Sequence, residues 1–353
     1  MTSKAAGLAA AATAAATGLY LLYRSEVARR QQEEVTAAFA EYSDSALHLV
    51  ATDMDGTLLS PAAAEGHANG YLSQRTIDTA RSMAAEGVIV SIATGRPAPA
   101  LEDHVKALGI SLPCICFNGA AVLRMHADGR PLESLWTRPL ATDAVAAVLA
   151  FADAEGLCCS YSLLERAVAS CATPAQRALL DEYMRLEGVT QRVVGSTAEL
   201  ADLPEPPLKM VLLTPTPDAT AARARTALGG LAHVVSAEMH VEFLTPGVNK
   251  GAALAWLCAR EGLSCAHAVT FGDNHNDAEM LRAAGLGCAM SNAKPEVKQA
   301  ADVTLAWSNA EDGVARQCEK LRAEGRLRPL RPQGTPHVKA ETPQTFKFGP
   351  CYI

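Results

Sequence analysis

The chain has 353 residues, with 31 Lys+Arg set against 38 Asp+Glu for a formal charge of −7, and 49% of it is hydrophobic while 20% is charged. The length suits two domains and the apolar fraction suits a sizeable core, which excludes a wholly disordered or fibrous protein. The mildly acidic balance excludes a nucleic-acid partner held by counterion release, so any anionic ligand has to be met by a local cationic pocket or a metal.

Residues 5–23 carry no charge and, as a helix, would span about 28 Å, close to a bilayer core. The segment is mostly Ala with Thr13 and Thr17, and no acidic residue precedes Glu26 while Lys4, Arg24, Arg29 and Arg30 are basic. Residues 1–30 therefore read as a membrane anchor, a cleaved organellar leader or a bland Ala-rich extension, and membrane association is expected only through 5–23. Residues 47–52 then form a short apolar, β-branched run, 76–86 have helical spacing, and 88–93 and 115–117 are further buried-strand runs. Beyond them come helical patterns near 142–155, 174–187 and 218–228, with strand-like runs near 132–136, 158–161, 192–194, 209–213 and 241–243. After a helical run at 252–259, strands are expected at 268–271, 287–290 and 303–305, separated by helices at 277–284 and 294–300. Such alternation predicts an α/β fold: a doubly wound, Rossmann-like parallel sheet with helices on both faces. Residues 326–353 hold five of the 19 prolines in a polar setting without periodicity and read as an irregular tail.

The ten cysteines show no paired spacing of the kind a zinc site needs. Several lie in apolar runs, such as Cys114 and Cys116, where a reduced thiol acts as a small core residue. No Asn-x-Ser/Thr acceptor is present, so the expectation is a reduced, intracellular setting, in the cytoplasm or an organelle.

In a doubly wound sheet the ligand site lies beyond the carboxyl ends of the strands. The first strand ends in Asp53-Met-Asp-Gly-Thr57. Two carboxylates spaced by two residues there suit a nucleophile beside a second acid, or a cation site; a capped Asp turn is the alternative. The second ends in Thr94-Gly-Arg96, where a hydroxyl and turn donors could hold a phosphate, and the third in the turn-prone Asn118-Gly-Ala120. Lys250 opens a helix, where its charge opposes the macrodipole and hints at an anionic partner; a solvated surface lysine is the alternative. Gly272-Asp-Asn-His-Asn-Asp277 places Asp273 and Asp277 at another strand end.

In their order and spacing these elements resemble the haloacid dehalogenase superfamily, and its Cof-type phosphatase branch in particular, over about residues 45–318. The Gly-Val-Asn-Lys-Gly251 run and Ala289-Met-Ser-Asn292 are similar to the same branch. The resemblance implies that Asp53 is the nucleophile and forms an aspartyl-phosphate, and that Asp55 is the general acid and base. It implies a Mg²⁺ ion held by the Asp53 carboxylate, the Asp55 backbone carbonyl and Asp273, with Asp277 supporting that shell. Thr94, Gly95, Lys250 and Asn276 would bind the phosphoryl oxygens, and Thr57, Asn118 and Gly119 would complete the site loops. It further implies a catalytic core of residues 45–130 and 244–320 and an inserted α/β cap at 131–243, too long to be a loop. Arg166, Arg192 and His240 of the cap are candidate substrate contacts, each with a solvated-surface alternative.

The expected activity is Mg²⁺-dependent hydrolysis of a small phosphate monoester, a sugar phosphate or a phosphorylated cofactor. Asp55 sets the chain apart from the carbon–halogen cleaving and ion-pumping relatives. The alternatives are a phosphosugar mutase or a phosphatase of sucrose-phosphate type, and, outside catalysis, a membrane-tethered scaffold that keeps the fold. Loss of Asp53, Asp55, Lys250 or Asp273 would favour the scaffold, and all four are present.

Overall fold

The computed structural model describes residues 46–61, 70–237 and 239–330. The leader or anchor read at 1–30, and the tail beyond 330, lie outside the described residues. Among the described residues no helix is long and apolar enough to cross a membrane.

In chain order the elements are β1 (Leu49–Thr52), α1 (Gln74–Glu86), β2 (Ile89–Ala93), α2 (Glu102–Leu108), β3 (Leu112–Cys116), β4 (Ala121–Met125) and β5 (Glu133–Thr137). An inserted unit follows: α3 (Thr142–Glu155), β6 (Cys158–Ser162), β7 (Ala167–Ser170), α4 (Pro174–Glu187), β8 (Arg192–Val194), α5 (Thr197–Ala201), β9 (Lys209–Leu213), α6 (Pro217–Leu228), β10 (His233–Ser236) and β11 (His240–Leu244). The chain returns through α7 (Lys250–Arg260), β12 (Ala268–Gly272), α8 (Ala278–Ala283), β13 (Leu286–Ala289), α9 (Pro295–Ala300), β14 (Val303–Thr304) and α10 (Gly313–Ala323).

The first sheet has eight strands in the order β14-β13-β12-β1-β2-β3-β4-β5. From β14 to β3 neighbours are parallel, while β4 and β5 add antiparallel strands at one edge. β1 is wholly buried because both faces are covered. Leu49, Ala51, Ala93 and Ile115 pack with Leu254 and Leu257 of α7, and Val50 and Ile92 face Thr76, Ala80 and Met83 of α1 and Cys318 of α10 on the other side. Each fully buried leucine of this kind contributes about 1.5–3 kcal/mol. Local chemistry sets the helix ends: Ser73 caps α1 by accepting from the Thr76 N–H at 3.1 Å, and Gly87 ends it in the left-handed region at φ 95°.

The second sheet has six strands in the order β10-β11-β9-β6-β7-β8. α3 and α6 cover one face through Val148, Ala152 and Ala224 against Met210, Leu212 and Phe243, and α4 covers the other through Leu180 and Tyr183 against Val211 and Leu213. The two connections between core and insertion are tied together, since the Thr245 hydroxyl donates to the Pro139 carbonyl at 2.8 Å.

Two boundaries differ from expectation. The run at 132–136, expected inside the insertion, is β5 of the core sheet, antiparallel to β4; Leu140 is the first residue to join the insertion's apolar cluster. At the other end, the backbone of 326–328 is not irregular throughout: Leu47 donates to Arg326 O at 2.8 Å and accepts from Arg328 N–H at 3.0 Å. All the described cysteines are free thiols, and all but Cys171 and Cys265 are buried.

Candidate active site

Four adjacent parallel strands, β12-β1-β2-β3, deliver the polar strand ends to one edge of the sheet. β1 has β2 on one side and β12 on the other, so the chain reverses its direction of travel across the sheet there, which opens the crevice where such folds bind ligands. Thr52 pairs with Phe271 and with Ile92, so Asp53, Asp273 and Thr94 emerge together.

Asp53 is 5% exposed, and its Oδ1 accepts from Lys250 Nζ at 2.5 Å. The same ammonium, fully buried at the first turn of α7, donates to Asp277 Oδ1 at 2.7 Å. The anionic partners that its unfavourable helix position called for are these two carboxylates. Asp277 Oδ2 in turn accepts from the backbone N–H groups of Asp273 and Asn274, both at 3.0 Å, which fixes the loop after β12. Asp273 Oδ1 accepts from the Thr57 hydroxyl at 2.8 Å. Gly56 allows this approach: it stands at φ 74°, and a Cβ there would lie 2.5 Å from Asp273 Oδ2.

Asp53, Asp273 and Asp277 each offer an oxygen within 4.8 Å of the others. Burial, and after it the Asp277 charge, push the Asp53 carboxyl well above its ordinary range against the pull of Lys250. Burial likewise pushes Asp273 up to about 6, with the Thr57 hydroxyl opposing and Asp277 adding. Burial alone would lower the Lys250 ammonium, but Asp277 and Asp53 more than reverse it. One ammonium among three carboxylates leaves an excess of negative charge that a divalent cation would neutralise. The donor set fits Mg²⁺: these are hard oxygens, and neither Asp53 Oδ2 nor Asp273 Oδ2 accepts a hydrogen bond among the described residues. Both Asp277 oxygens are already engaged by donors.

Asp55 does not join this cluster. Its half-exposed carboxylate turns to Arg96, which donates from Nε at 2.8 Å and from its terminal nitrogen at 2.6 Å. Thr94 Oγ1 accepts from the Arg96 N–H at 3.1 Å, so the loop after β2 is held by its own side chain. Asn118, at φ 52°, donates from its N–H to Thr94 O and accepts at Oδ1 from Asn276 Nδ2 at 2.9 Å. Gly119, at φ 102°, lies so close to α7 that a Cβ would sit 2.2 Å from the Asn249 carbonyl. Thr94, Gly95, Asn118 and Asn276 thus line the edge beside the carboxylate cluster.

Sequence reasoning gave Arg96 no role and passed over Lys209 and Glu242, buried side chains of the insertion that reach Gly95 and Asn118. The available signal was a charge inside a run that is otherwise apolar. Of the cap contacts named in advance, His240 is turned inward, its Nε2 3.4 Å from Glu242 Oε1 and its ring edge-on to Tyr183. Arg166 pairs with Glu205 at 2.6 Å. With Arg192 and Gln191 it lines a cavity of about 640 Å³ that Pro97 and Pro99, just after Arg96, close from the core side.

The site thus stands on a doubly wound α/β core that carries an acidic strand-end cluster and an inserted α/β unit. The sequence pattern of the haloacid dehalogenase-like hydrolases matches residues 50–317, and the chain belongs to that family, in its Cof-type phosphatase branch. It is 29% identical over 278 residues, 76% of this chain and 95% of the relative, to the 5-amino-6-(5-phospho-D-ribitylamino)uracil phosphatase of Bacillus subtilis. It is 29% identical over 264 residues, 71% of this chain and 90% of the relative, to the HMP-PP phosphatase of Shigella boydii. Among solved structures, a haloacid dehalogenase-like hydrolase from Bacteroides thetaiotaomicron superposes with a TM-score of 0.65 at 22% identity, covering 78% of this chain and 99% of that one. The chain is accordingly an enzyme, a phosphatase of the haloacid dehalogenase type.

Proposed function

We propose that the protein hydrolyses a small phosphate monoester, a sugar phosphate or a phosphorylated cofactor, in a Mg²⁺-dependent reaction through an aspartyl-phosphate on Asp53. The observation that carries this reading is the buried Asp53–Lys250–Asp277 chain, which fixes one oxygen of Asp53 and leaves the other free beside Asp273. Asp53, Asp273 and the Asp55 backbone carbonyl would hold Mg²⁺, with Asp277 bracing the loop. When bound, the ion would neutralise the carboxylates and withdraw charge from the phosphoryl oxygens.

The Asp53 carboxylate attacks phosphorus as the bond to the leaving oxygen breaks, and Asp55, as the acid, gives its proton to that oxygen. Asp55, now a carboxylate, takes a proton from the water that attacks the acyl phosphate; phosphate leaves and Asp53 is restored. As the acid, Asp55 leaves Arg96 to donate; as a carboxylate it is engaged through both oxygens by the guanidinium, which sets its direction for the water step. Lys250 offsets charge that builds on the transferring group, and the Gly95, Asn118 and Asn276 edge receives its remaining oxygens. The cavity lined by Arg166, Gln191 and Arg192 begins at Pro97, next to Arg96, and would offer a polar leaving group room on that side. The two named relatives, one of them acting on a phosphorylated ribitylaminouracil, support a substrate of metabolite size.

The test is phosphate release from a panel of sugar phosphates, nucleotides, flavin mononucleotide and pyridoxal phosphate, with Mg²⁺ and with chelator. Metal-dependent release with a preferred ester is expected. No release from any ester by folded protein would overturn the reading.

A further inference from the structure

The insertion buries an ion pair between a lysine and a glutamate. Lys209 on β9 and Glu242 on β11 are 1% and 6% exposed, and Lys209 Nζ donates to Glu242 Oε1 at 2.8 Å. Such a pair is no more stabilising than two apolar residues of similar volume, because both charges give up their hydration. Besides the His240 Nε2 that lies 3.4 Å from Glu242 Oε1, two further bonds leave the insertion and run to the core. Lys209 Nζ also donates to the Gly95 carbonyl at 3.1 Å. Glu242 Oε2 accepts from Asn118 Nδ2 at 2.6 Å, and Asn118 Oδ1 accepts from Asn276 Nδ2. Asn118 is held in the left-handed region, a conformation that needs support from its surroundings. Burial would by itself lower the Lys209 ammonium and raise the Glu242 carboxyl, but each holds the other charged.

We propose that Lys209 and Glu242 are positioning residues: they hold the loop of residues 94–96 by its Gly95 carbonyl, and the side-chain amides of Asn118 and Asn276, so that the N–H donors of this edge are set to receive the phosphoryl oxygens. The insertion then shapes the phosphate site as well as covering it. A substrate that seats the insertion acquires a complete phosphate cradle, and one that leaves it unseated does not. This rests on the phosphatase reading above.

The test replaces the pair by apolar residues, Lys209→Met together with Glu242→Leu, and compares full-length proteins. The double variant is expected to melt within about 5 °C of the parent. Its KM for the preferred ester, and its inhibition constant for inorganic phosphate, are each expected to rise by roughly tenfold to a hundredfold. Unchanged constants in the folded variant would overturn the proposal, as would activity that falls only in step with the folded fraction. If the double variant does not fold, Glu242→Gln keeps the volume and breaks the ion pair, and the same two constants decide. If the parent releases no phosphate, the phosphatase reading fails on its own, and amide hydrogen exchange at Gly95, Arg96 and Asn118 still reads the positioning: faster exchange in the variant supports it and unchanged exchange overturns it.

Discussion

Asp55 is the one carboxylate of the proposed catalytic set that faces solvent, with its side chain 51% exposed, yet both its oxygens are engaged by a guanidinium that is 9% exposed. A half-exposed ion pair of this kind contributes about 1 kcal/mol at most, so its value lies in orientation. Lysine at position 96 would keep the charge and lose the planar fork. Arg96→Lys should therefore lower kcat by roughly tenfold, the scale of a misdirected acid–base group, with little change in KM and at most about 1 kcal/mol lost from folding. Steady-state kinetics beside urea unfolding checks this, and an unchanged kcat would leave Arg96 without a part in the reaction. That Asp53, Asp273, Asp277 and Lys250 stand together was legible in the sequence from the order and spacing of the motifs, since singly a capped turn or a solvated lysine explained each as well. Arg96 was not, because in Thr94-Gly-Arg96 it reads as part of a turn and nothing local names Asp55 as its partner.

At the scale of elements, parallel pairing explains why the separate polar runs converge, and this too followed from strand–helix alternation. The edge of the core sheet did not. Strands β4 and β5 are joined by a hairpin, β5 is half-buried, and the same short alternating pattern recurs in the insertion, so local pattern alone does not say which sheet a strand joins. Lys209 in β9 and Glu242 in β11 were hidden for a related reason: each is a single charge in an apolar run, paired across strands that are 33 residues apart at that point. Glu242 gives β11 a pH dependence of definite sign. Burial would raise its carboxyl, but Lys209 first and His240 after it hold it well below its ordinary range. A carboxyl depressed in the folded state stabilises fully above its unfolded value of about 4.3, and that contribution is lost as pH falls through the folded value. Thermal melts from about pH 6 to about pH 3 should accordingly fall more steeply for the parent than for Glu242→Gln. Parallel curves would mean that Glu242 binds protons equally in both states.

For the molecule as a whole, the net charge of −7 extends into the site, where Lys250 is outnumbered by carboxylates and Arg96 is paired with Asp55, so an anionic substrate calls for a divalent cation there. The family, the doubly wound core and the existence of an inserted α/β unit were readable from ordered strand ends and element alternation. The contacts by which the insertion meets the core were not, since they depend on tertiary seating. The central claim is that phosphorus passes through Asp53. The most direct measurement is acid-quenched peptide mapping of the Asp55→Asn variant after mixing with Mg²⁺ and the preferred ester. A phosphoryl group on the peptide that contains Asp53, absent when Asp53→Asn is added, is the predicted result; ester turnover with no such phosphopeptide, and at full rate in Asp53→Asn, would contradict it.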